Sequence, residues 1–425
     1  MIFSKKICIG ILGLGYIGLP LAIEFSKKFK VIGYDIDSER ITELFNGKDK
    51  TKEVRSKELI KANKLFFTSN YKDLSLCNIF IITVPTPISH KNEPNLKPLI
   101  RASKTIANIL KKDNIVIYES TLFPGAVEEV CVPILEKQSG LVFNKDFFCG
   151  YSPERINPGD KSHQLVNIKK ITSGSTKKIA TFIDNLYKKI IKAGTHKVSS
   201  IKVAEAAKVI ENCQRDLNIA FINELSVIFD KLNLDTSEIL KAASTKWNFL
   251  NFKPGLVGGH CIGVDPYYLT YKANQKGYNP KVILSGRDVN SDMGFFVVKK
   301  LINKMKKNNI KLKLAKILIM GFSFKENCQD IRNTRVIDIV HSLKRRNCLV
   351  DVYDPLVNKR ECLKNYKVRL IDYPKYSKYD SIILAVSHSK FKKIGISKIR
   401  KFGKKNSIIF DIKSFFNKKY TNLTL

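Results

Sequence analysis

Short apolar runs alternate with helix-like patterns along the first part of the chain. The runs at residues 7–12, 79–84 and 115–120 (ICIGIL, IFIITV and IVIYES) have the length of buried strands, and VIGYD at 31–35 is similar. Between them, apolar residues recur at helical spacing. Strands that alternate with helices predict parallel βαβ units. A further α/β stretch continues to about residue 199.

The segment from Ser200 to about Leu232 predicts one long helix. Its apolar residues recur at every third or fourth position, it has a patch of small alanines, and no proline interrupts it. Ser199 or Ser200 would serve as its N-cap. A helix of this length predicts a spine between domains and a candidate dimer surface.

A second α/β pattern begins near Lys313. It contains four more strand-like runs, at residues 316–325, 349–355, 381–388 and 407–414. We therefore predict an α/β fold in which two Rossmann-like domains with parallel sheets are joined by a helical central region with one spine helix. The predicted domains are residues 1–199, 200–312 and 313–425.

A glycine-rich turn, GLGYIG, follows the first strand and opens a helix. Gly13 would make the tight turn, Gly15 would let a pyrophosphate approach the backbone, and Gly18 would let helix and strand pack closely. Asp35, about 20 residues further on, can hold ribose hydroxyls and would repel a 2′-phosphate, which favours NAD over NADP. Arg40 could contact the adenosine side or be an exposed helix arginine.

The charge is strongly positive, with 75 Lys+Arg against 38 Asp+Glu and a formal net charge of +37. Nucleic acid or an anionic membrane surface would suit such a charge. The lysines, however, are spread along the whole chain, without a basic arm, zinc finger or RNP-type motif. We therefore expect solvated lysine-rich faces and no nucleic-acid partner.

The nine cysteines are scattered and form no CxxC pair. This pattern predicts neither a metal site nor a disulfide framework, and it favours reduced thiols in a cytoplasm. The apolar run after Lys6 could pass for a signal peptide, but it lacks a small-residue cleavage site and contains the glycine turn. We expect no membrane insertion.

One cysteine, Cys261, lies in a polar glycine-rich loop, LVGGHCIGVDPYY, which is an unusual place for a structural thiol. A reactive thiol and an incidental one are both open on this evidence. His260 precedes it, but adjacent residues of an extended segment point apart, so we do not expect a direct Cys–His pair.

Other candidate residues lie in three places. Lys208 and Asn212 share a face of the long helix with Glu205, which could instead form a surface pair with Lys208. Ser120 and Thr121 follow a strand at the edge where ligands bind in open α/β sheets, although they could also cap a helix. Glu154 lies in a proline-flanked loop that can aim a carboxylate, or it is an ordinary turn glutamate.

The chain resembles the UDP-glucose/GDP-mannose dehydrogenase family through motifs that occur in order over essentially its whole length. These are GLGYIGLPLA, VPTPI, ESTLFPG, YSPERINPGD, AEAAKVIEN, VGGHCIGVDPYYL and GFSFKENCQDIRNT. The closest resemblance is to UDP-N-acetylhexosamine 6-dehydrogenases of the Vi-antigen and O-antigen type, to which the GGHCIGVDPYY version of the cysteine loop points.

The resemblance implies a four-electron oxidation of a sugar C6 alcohol to a carboxylate with two NAD molecules in succession. Cys261 would form a thiohemiacetal and then a thioester. Lys208 and Asn212 would stabilise developing negative charge, and Asp265 would activate or position water. Glu154 would be a general base and Thr121 would hold a water; which carboxylate acts at which step stays open.

The resemblance also implies that the three domains bind NAD, dimerise and carry the cysteine loop, and bind the UDP-sugar, in that order. Predicted cofactor contacts are Gly13, Gly15, Tyr16, Ile17, Gly18, Asp35, Arg40, Thr86, Ser120, Thr121 and Arg332. Predicted substrate contacts are Glu154, Arg155, Lys208, Asn212, Phe249, Leu250, Asn251, Phe252, Gly255, Gly258 and Lys325. Asn251 stands where the family usually has proline, which leaves the rigidity of that loop open. Asp354 ends a strand, as a ribose-binding acid would.

We expect UDP-N-acetylglucosamine as the substrate, with the galactosamine and mannosamine epimers and UDP-glucose as alternatives, and a surface-polysaccharide precursor as the product. A two-electron nucleotide-sugar oxidoreductase or epimerase would need no thiol, and a basic nucleic-acid binder would need neither cofactor nor thiol. We expect a homodimer, as is common in the family.

Overall fold

The computed structural model describes residues 6–89, 91–156 and 164–425. The chain forms two compact units. The amino-terminal unit comprises Met1–Glu211 and Tyr267–Tyr278, and the carboxy-terminal unit comprises Asn212–Pro266 and Asn279–Leu425. The three predicted domains are not tested by this grouping and stay a prediction.

The amino-terminal unit is built on one eight-stranded sheet. Its strands are β1 Cys8–Leu12, β2 Lys30–Tyr34, β3 Leu65–Thr68, β4 Ile79–Ile82, β5 Asn114–Tyr118, β6 Phe147–Tyr151, β7 Lys170–Gly174 and β8 Thr195–Lys197. Its helices are α1 Gly18–Ser26, α2 Ser38–Phe45, α3 Ser56–Lys61, α4 Lys97–Ala107, α5 Val132–Ser139 and α6 Lys177–Lys188. Short 3₁₀ turns lie at Tyr71–Leu76 and Leu165–Asn167, and a π-helical turn at Val127–Cys131 leads into α5.

The strand order of this sheet is β3-β2-β1-β4-β5-β6-β7-β8. All neighbouring strands are parallel except β6 and β7, which are antiparallel. From β1 to β3 the strands are added toward one edge of the sheet, and from β4 onward toward the other edge. Ligands bind in open α/β sheets at the point where this order changes, here between β1 and β4. Every residue of β1, β4 and β5 is buried, which explains why these strands are apolar apart from Asn114 at the start of β5.

The carboxy-terminal unit has a second sheet, of five strands. They are β9 Lys316–Met320, β10 Leu349–Tyr353, β11 Tyr379–Leu384, β12 Gly403–Asp411 and β13 Leu423–Thr424, in the order β10-β9-β11-β12-β13 and all parallel. Its helices are α8 Thr236–Ala243, α10 Lys281–Lys307, α11 Val336–Lys344, α12 Lys359–Tyr366, α13 Ser389–Ile394 and α14 Ile396–Phe402. A 3₁₀ turn lies at Lys418–Tyr420.

Two helices have residues in both units, α7 Ile201–Lys231 and α9 Asp265–Gln275. The predicted spine helix is α7, and it is confirmed with its cap, since Ser200 Oγ accepts a hydrogen bond of 3.3 Å from the Val203 N–H. The two parallel sheets and the helical middle confirm the predicted fold class. Within the described ranges, no helix combines the length and hydropathy needed to cross a bilayer.

The sequence did not single out β3, β6 and β7 as strands. LFFT is short, FFCGY contains a glycine, and KITSG begins with lysine and ends with small residues. The spacing of apolar residues and the hydropathy therefore predicted an α/β pattern without locating these three strands. The antiparallel direction of β7 has no signal in its own sequence, because the strand on which it packs decides it.

Candidate functional site

The loop after β1 turns sharply at Gly13 and leads directly into α1. Gly13 has a φ of +94°, a region that glycine enters freely. A Cβ added to Gly18 would lie 1.8 Å from the Gly13 carbonyl oxygen, whereas one added to exposed Gly15 would meet no atom within 4 Å. Two glycines therefore build the turn, and the third leaves its backbone open. Tyr16 and Ile17 follow, half-buried.

Asp35 follows β2 and supports the same loop. Its Oδ2 accepts a hydrogen bond of 2.8 Å from the Leu14 N–H. Arg40 is buried rather than exposed: its Nε donates to the Leu14 carbonyl at 3.0 Å, and its guanidinium pairs with Asp49 at 2.7 Å and Glu43 at 3.2 Å. Arg40 thus supports the glycine loop through its hydrogen bond to Leu14. The predicted contact between Arg40 and the cofactor would have to compete with the bonds that Arg40 already makes.

The segments that follow β4 and β5 are tied together at one edge of the sheet. Ser120 Oγ donates to the Val84 carbonyl at 2.6 Å, and Thr86 Oγ1 donates to the Thr121 carbonyl at 2.8 Å. The hydroxyl of fully buried Tyr268 donates to the Thr86 carbonyl at 2.8 Å. Ser120 and Thr121 therefore lie at the strand ends, as predicted, and not at a helix cap.

Glu154 is a buried carboxylate and not an exposed turn glutamate. One of its oxygens accepts the backbone N–H groups of Arg155 and Ile156, each at 2.6 Å, and the other lies 2.8 Å from Lys170 Nζ. Burial, the largest single influence, opposes its ionisation, but the Lys170 ammonium and the two backbone N–H groups together outweigh burial and lower the pKa of Glu154. The rest of the YSPERINPGD motif, from residue 157, lies outside the described residues.

Arg155, the next residue, is turned toward α7. Its guanidinium donates to the Lys169 carbonyl at 2.8 Å and pairs with Glu211 at 2.7 Å. It remains partly exposed, with 31% of its side-chain surface accessible. The predicted substrate contact of Arg155 stays a prediction.

On α7, Glu205 is fully buried and serves the neighbouring loop. It accepts hydrogen bonds from the backbone N–H groups of Gly125 at 2.5 Å and Val127 at 2.9 Å. Burial raises the pKa of Glu205 to about 8, although these two bonds oppose the shift. A surface pair with Lys208 is therefore the wrong interpretation. Lys208 lies one turn further along and is itself buried, with 8% exposure.

In the carboxy-terminal unit, Asn212 and Asp265 meet directly. Asn212 Nδ2 donates to Asp265 Oδ2 at 2.5 Å, and both side chains are buried. Cys261 lies in the turn just before α9, and its carbonyl accepts the Asp265 N–H at 2.8 Å. Seven of the nine cysteines are buried, whereas Cys261 and Cys328 are half-buried. Cys261 therefore keeps partial access to solvent, which most of the cysteines lack.

The FLNFKPG segment leads from α8 toward this turn. Gly255 is pinned by buried Asn223, which accepts its N–H at 2.8 Å and donates to its carbonyl at 3.0 Å. A Cβ at Gly258 would lie 2.7 Å from the Asn333 carbonyl. Asn251 and Leu250 are exposed, so the position usually held by proline is at the surface. The substrate contacts of Phe249, Leu250, Asn251 and Phe252 stay predictions.

Of the residues predicted near the end of the chain, Lys325 is half-buried and its ammonium lies 5.6 Å from the centre of the Phe324 ring. Arg332 pairs with Asp330 through two nitrogens, with Nη2 at 2.6 Å and Nε at 3.0 Å. Asp354 is buried, and its Oδ2 accepts the Phe322 N–H at 2.7 Å and lies 3.1 Å from His388 Nε2. The Asp354 carboxylate is therefore used within its own unit.

Known protein families cover the three regions of the chain. The family model for the NAD binding domain matches residues 5–191, that for the central domain matches 202–292, and that for the UDP binding domain matches 318–418. The chain belongs to the UDP-glucose/GDP-mannose dehydrogenase family. This confirms the resemblance inferred from the motifs, and the protein is accordingly an NAD-dependent dehydrogenase.

Individual relatives match over nearly the full length. The chain is 56% identical over 421 residues to UDP-N-acetyl-D-glucosamine 6-dehydrogenase of Pseudomonas aeruginosa, covering 99% of this chain and 100% of the relative. It is 55% identical to the Salmonella typhi enzyme of the same name, with 96% of each covered. The solved structure of the UDP-D-ManNAc dehydrogenase from Pyrococcus horikoshii matches with a TM-score of 0.88 at 31% identity, covering 98% of each chain.

The glycine loop of this family member fits NAD. Its open backbone at Gly15 and the N-terminus of α1 suit a pyrophosphate, and the carboxylate of Asp35 suits ribose hydroxyls. Within the described part of the chain, no group of three His, Cys, Asp or Glu side chains is arranged to hold a metal ion.

Sequence reasoning missed several side chains that shape these dehydrogenase loops. Lys170, Glu119 and Tyr187 surround Glu154, and Asn223 holds Gly255. Lys170 looks like one more solvated lysine in a chain rich in them. A signal was present for Asn223, because an asparagine amid the apolar residues of a long helix needs a hydrogen-bond partner.

Proposed function

We propose that this protein is a UDP-N-acetylglucosamine 6-dehydrogenase, which oxidises the sugar C6 hydroxyl to the uronate. The observation that carries the proposal is the match at 56% identity over 99% of this chain to an enzyme of that name. The GGHCIGVDPYY version of the cysteine loop supports the N-acetylhexosamine branch. The product would be a precursor of a surface polysaccharide, as in Vi-antigen and O-antigen synthesis.

NAD supplies the hydride acceptor for each of the two oxidations. In the proposed chemistry, the Cys261 thiol gives up its proton and Sγ bonds to the C6 aldehyde, whose oxygen takes a proton to give a thiohemiacetal. Loss of a hydride from C6 and of the hydroxyl proton leaves a thioester. Water then adds to C6 and the C–S bond breaks, which releases the carboxylate and restores the thiol.

Buried polar groups would stabilise the oxygen that becomes negative in these steps. The ammonium of Lys208 would supply a fixed positive charge, which acts strongly where water is excluded. Asn212 would donate through its amide while it keeps Asp265 in place, as their 2.5 Å bond supports. Asp265, Glu154 and Thr121 would hold and orient the water. Lys325 would contact the UDP-sugar and Arg332 the cofactor.

The test is the oxidation of UDP-sugars by purified protein, followed by NADH absorbance. UDP-N-acetylglucosamine should yield two NADH per sugar, with a higher kcat/KM than its galactosamine and mannosamine epimers or UDP-glucose. A yield of one NADH per sugar would indicate a two-electron enzyme. A clear preference for another sugar of the panel would replace the proposed substrate and leave the reaction type in place.

The role of the thiol is tested by Cys261→Ser. Because a serine hydroxyl is far less nucleophilic than a thiolate, turnover should fall by at least about a thousandfold. Cys328→Ser is the matched control, since Cys328 is the other half-buried cysteine, and it should keep wild-type turnover. Steady NADH formation by Cys261→Ser at the wild-type rate would rule out the covalent route.

We also propose a cytoplasmic homodimer. All nine cysteines lie in the described part of the chain as free thiols, which supports a reducing compartment. An exposed apolar stripe supports a second copy as partner: Phe221 and Ile228 lie two turns apart on α7, and Leu232 follows the helix, with exposures of 57%, 43% and 59%. Self-association of identical stripes would give a twofold dimer.

A further inference from the structure

The amino-terminal unit contains a buried charged cluster of which the proposed chemistry uses only Glu154. Lys170 Nζ lies 2.6 Å from Glu119 Oε2 and 2.8 Å from Glu154 Oε2, and the Tyr187 hydroxyl donates to Glu119 Oε1. The exposures of Glu119, Lys170, Glu154 and Tyr187 are 1%, 2%, 5% and 0%. The Lys170 ammonium also lies 5.5 Å from the centre of the Tyr187 ring.

The sheet topology brings these groups together. Glu119 directly follows β5 and Glu154 follows β6, and these two strands are parallel, so both carboxylates lie at one edge of the sheet. Because β7 is antiparallel to β6, its first residue, Lys170, lies at that same edge. The change of strand direction between β6 and β7 thus places a cation between two acids that follow neighbouring parallel strands.

The Lys170 ammonium faces two buried carboxyl groups, and these two groups differ in their other hydrogen-bond donors. Glu154 has further donors, because its Oε1 accepts two backbone N–H groups. Burial raises the pKa of Glu119 to about 7, with Lys170 opposing and Glu154 adding to the shift. The pKa of Glu154 is lowered. Among the described residues, the titratable groups that face Glu154 are Lys170 from β7, Glu119 after β5 and Tyr187 from α6.

We propose that Lys170 is the positioning residue of Glu154: it keeps that carboxylate ionised and aimed, while Glu119 is the first of the two carboxyls to take up a proton as the pH falls. The inference rests on the proposed function, in which Glu154 holds and orients water. In this arrangement Glu154 remains a hydrogen-bond acceptor at pH values at which an unpaired buried carboxyl would be protonated.

The decisive variant is Lys170→Met, which removes the cation and keeps an unbranched side chain only one heavy atom shorter. Without Lys170, Glu154 should protonate more readily, so the acidic limb of the kcat–pH profile should move to higher pH by about one unit or more. At neutral pH, kcat should fall about tenfold to a hundredfold, with KM for NAD and sugar little changed. Lys169→Met, at the exposed neighbouring position, should leave the profile in place.

A second variant guards against misfolding. Lys170→Met combined with Glu119→Gln removes both members of the 2.6 Å pair, so that no Glu119 carboxyl is left buried without its cation. It should show the same upward shift of the acidic limb, whereas Glu119→Gln alone, which keeps Lys170, should not. If melting temperatures fall while the limb stays in place, Lys170 is merely structural and the proposal is overturned.

A measurement on the unmodified protein separates this inference from the proposed function. The ¹³C carboxyl resonance of Glu154, assigned by its loss in Glu154→Gln, should titrate below that of Glu119, and it should titrate at higher pH in Lys170→Met. This result in a protein that oxidises no UDP-sugar would sink the proposed function and leave the pairing intact. Titration of Glu154 above Glu119 would overturn the pairing even in an active dehydrogenase.

Discussion

At the scale of single residues, the three glycines of the first turn have different structural tasks. Gly13 supplies a positive φ, Gly18 makes room for the Gly13 carbonyl, and Gly15 lines nothing but open space. Gly13 and Gly18 are therefore required by the fold, whereas Gly15 leaves backbone that a ligand can approach. Substitutions at Gly15 and Gly18 should separate stability from cofactor binding.

We expect Gly18→Ala to destabilise the fold and Gly15→Ala to weaken NAD binding alone. The new methyl at position 18 would meet backbone at 1.8 Å, and such overpacking costs roughly 1–3 kcal/mol. Thermal melting and NAD titration would measure the two effects. The assignment of Gly15 is wrong if its alanine variant binds NAD as tightly as the wild type.

Asp354 shows why residue type and position alone do not reveal a role. It ends β10, as Asp35 follows β2, and both look like ribose-binding acids in the sequence. Asp354, however, is 3% exposed and faces His388 and the backbone after β9. Burial opposes ionisation of Asp354, but His388 and the backbone N–H groups of Phe322 and Leu356 together outweigh burial and lower its pKa. Only the fold distinguishes a carboxylate that supports a loop from one that faces a ligand.

At the scale of elements, α7 supports the loop after β5 as well as carrying candidate catalytic residues. Glu205 accepts the N–H groups of Gly125 and Val127, where the π-helical turn before α5 begins. These donors would otherwise lie buried without partners. Through this contact, the helix that bears Lys208 is tied to the segment that bears Thr121.

Glu205 should make stability depend on pH. Its pKa rises from 4.5 to about 8 on folding, so between these values the folded chain keeps a proton that the unfolded chain loses. The free energy of unfolding should therefore fall as pH rises from about 5 to about 8, by up to about 1.4 kcal/mol per pH unit for this group.

Urea unfolding at several pH values would measure this contribution. Glu205→Gln should flatten the decline, although it also weakens one of the two loop contacts, and exposed Glu238→Gln should not. The raised pKa of Glu119 also makes the free energy of unfolding fall as pH rises. It does so equally in the wild type and in both variants, so its contribution cancels in the comparison. An identical slope in Glu205→Gln and the wild type would show that Glu205 stays ionised on folding.

At the scale of the whole molecule, the surface combines a large positive charge with a local apolar stripe. The net charge of +37 works against self-association at low salt, whereas the stripe of Phe221, Ile228 and Leu232 favours it. A dimer held by this stripe should therefore become tighter as salt screens the repulsion.

We expect a dimer mass in light scattering, and Phe221→Asp should shift it to the monomer. The substitution would place a carboxylate in the centre of a desolvated surface, which is costly without a partner. Ile60→Asp, at an apolar residue of 76% exposure in the amino-terminal unit, is the matched control and should leave the mass unchanged. A monomeric wild type across protein and salt concentrations would refute the homodimer.

The sequence alone determined the class of fold, the glycine turn, the spine helix and the family, because each is encoded in local spacing or in contiguous motifs. The strands β1, β4 and β5 are almost entirely apolar because both of their faces are buried. Only the tertiary structure decided that β7 runs antiparallel to β6, that Lys170 lies between Glu119 and Glu154, and that Glu205 is buried against the loop after β5. Those outcomes depend on which distant segments pack together, and a buried lysine carries the same letter as a solvated one.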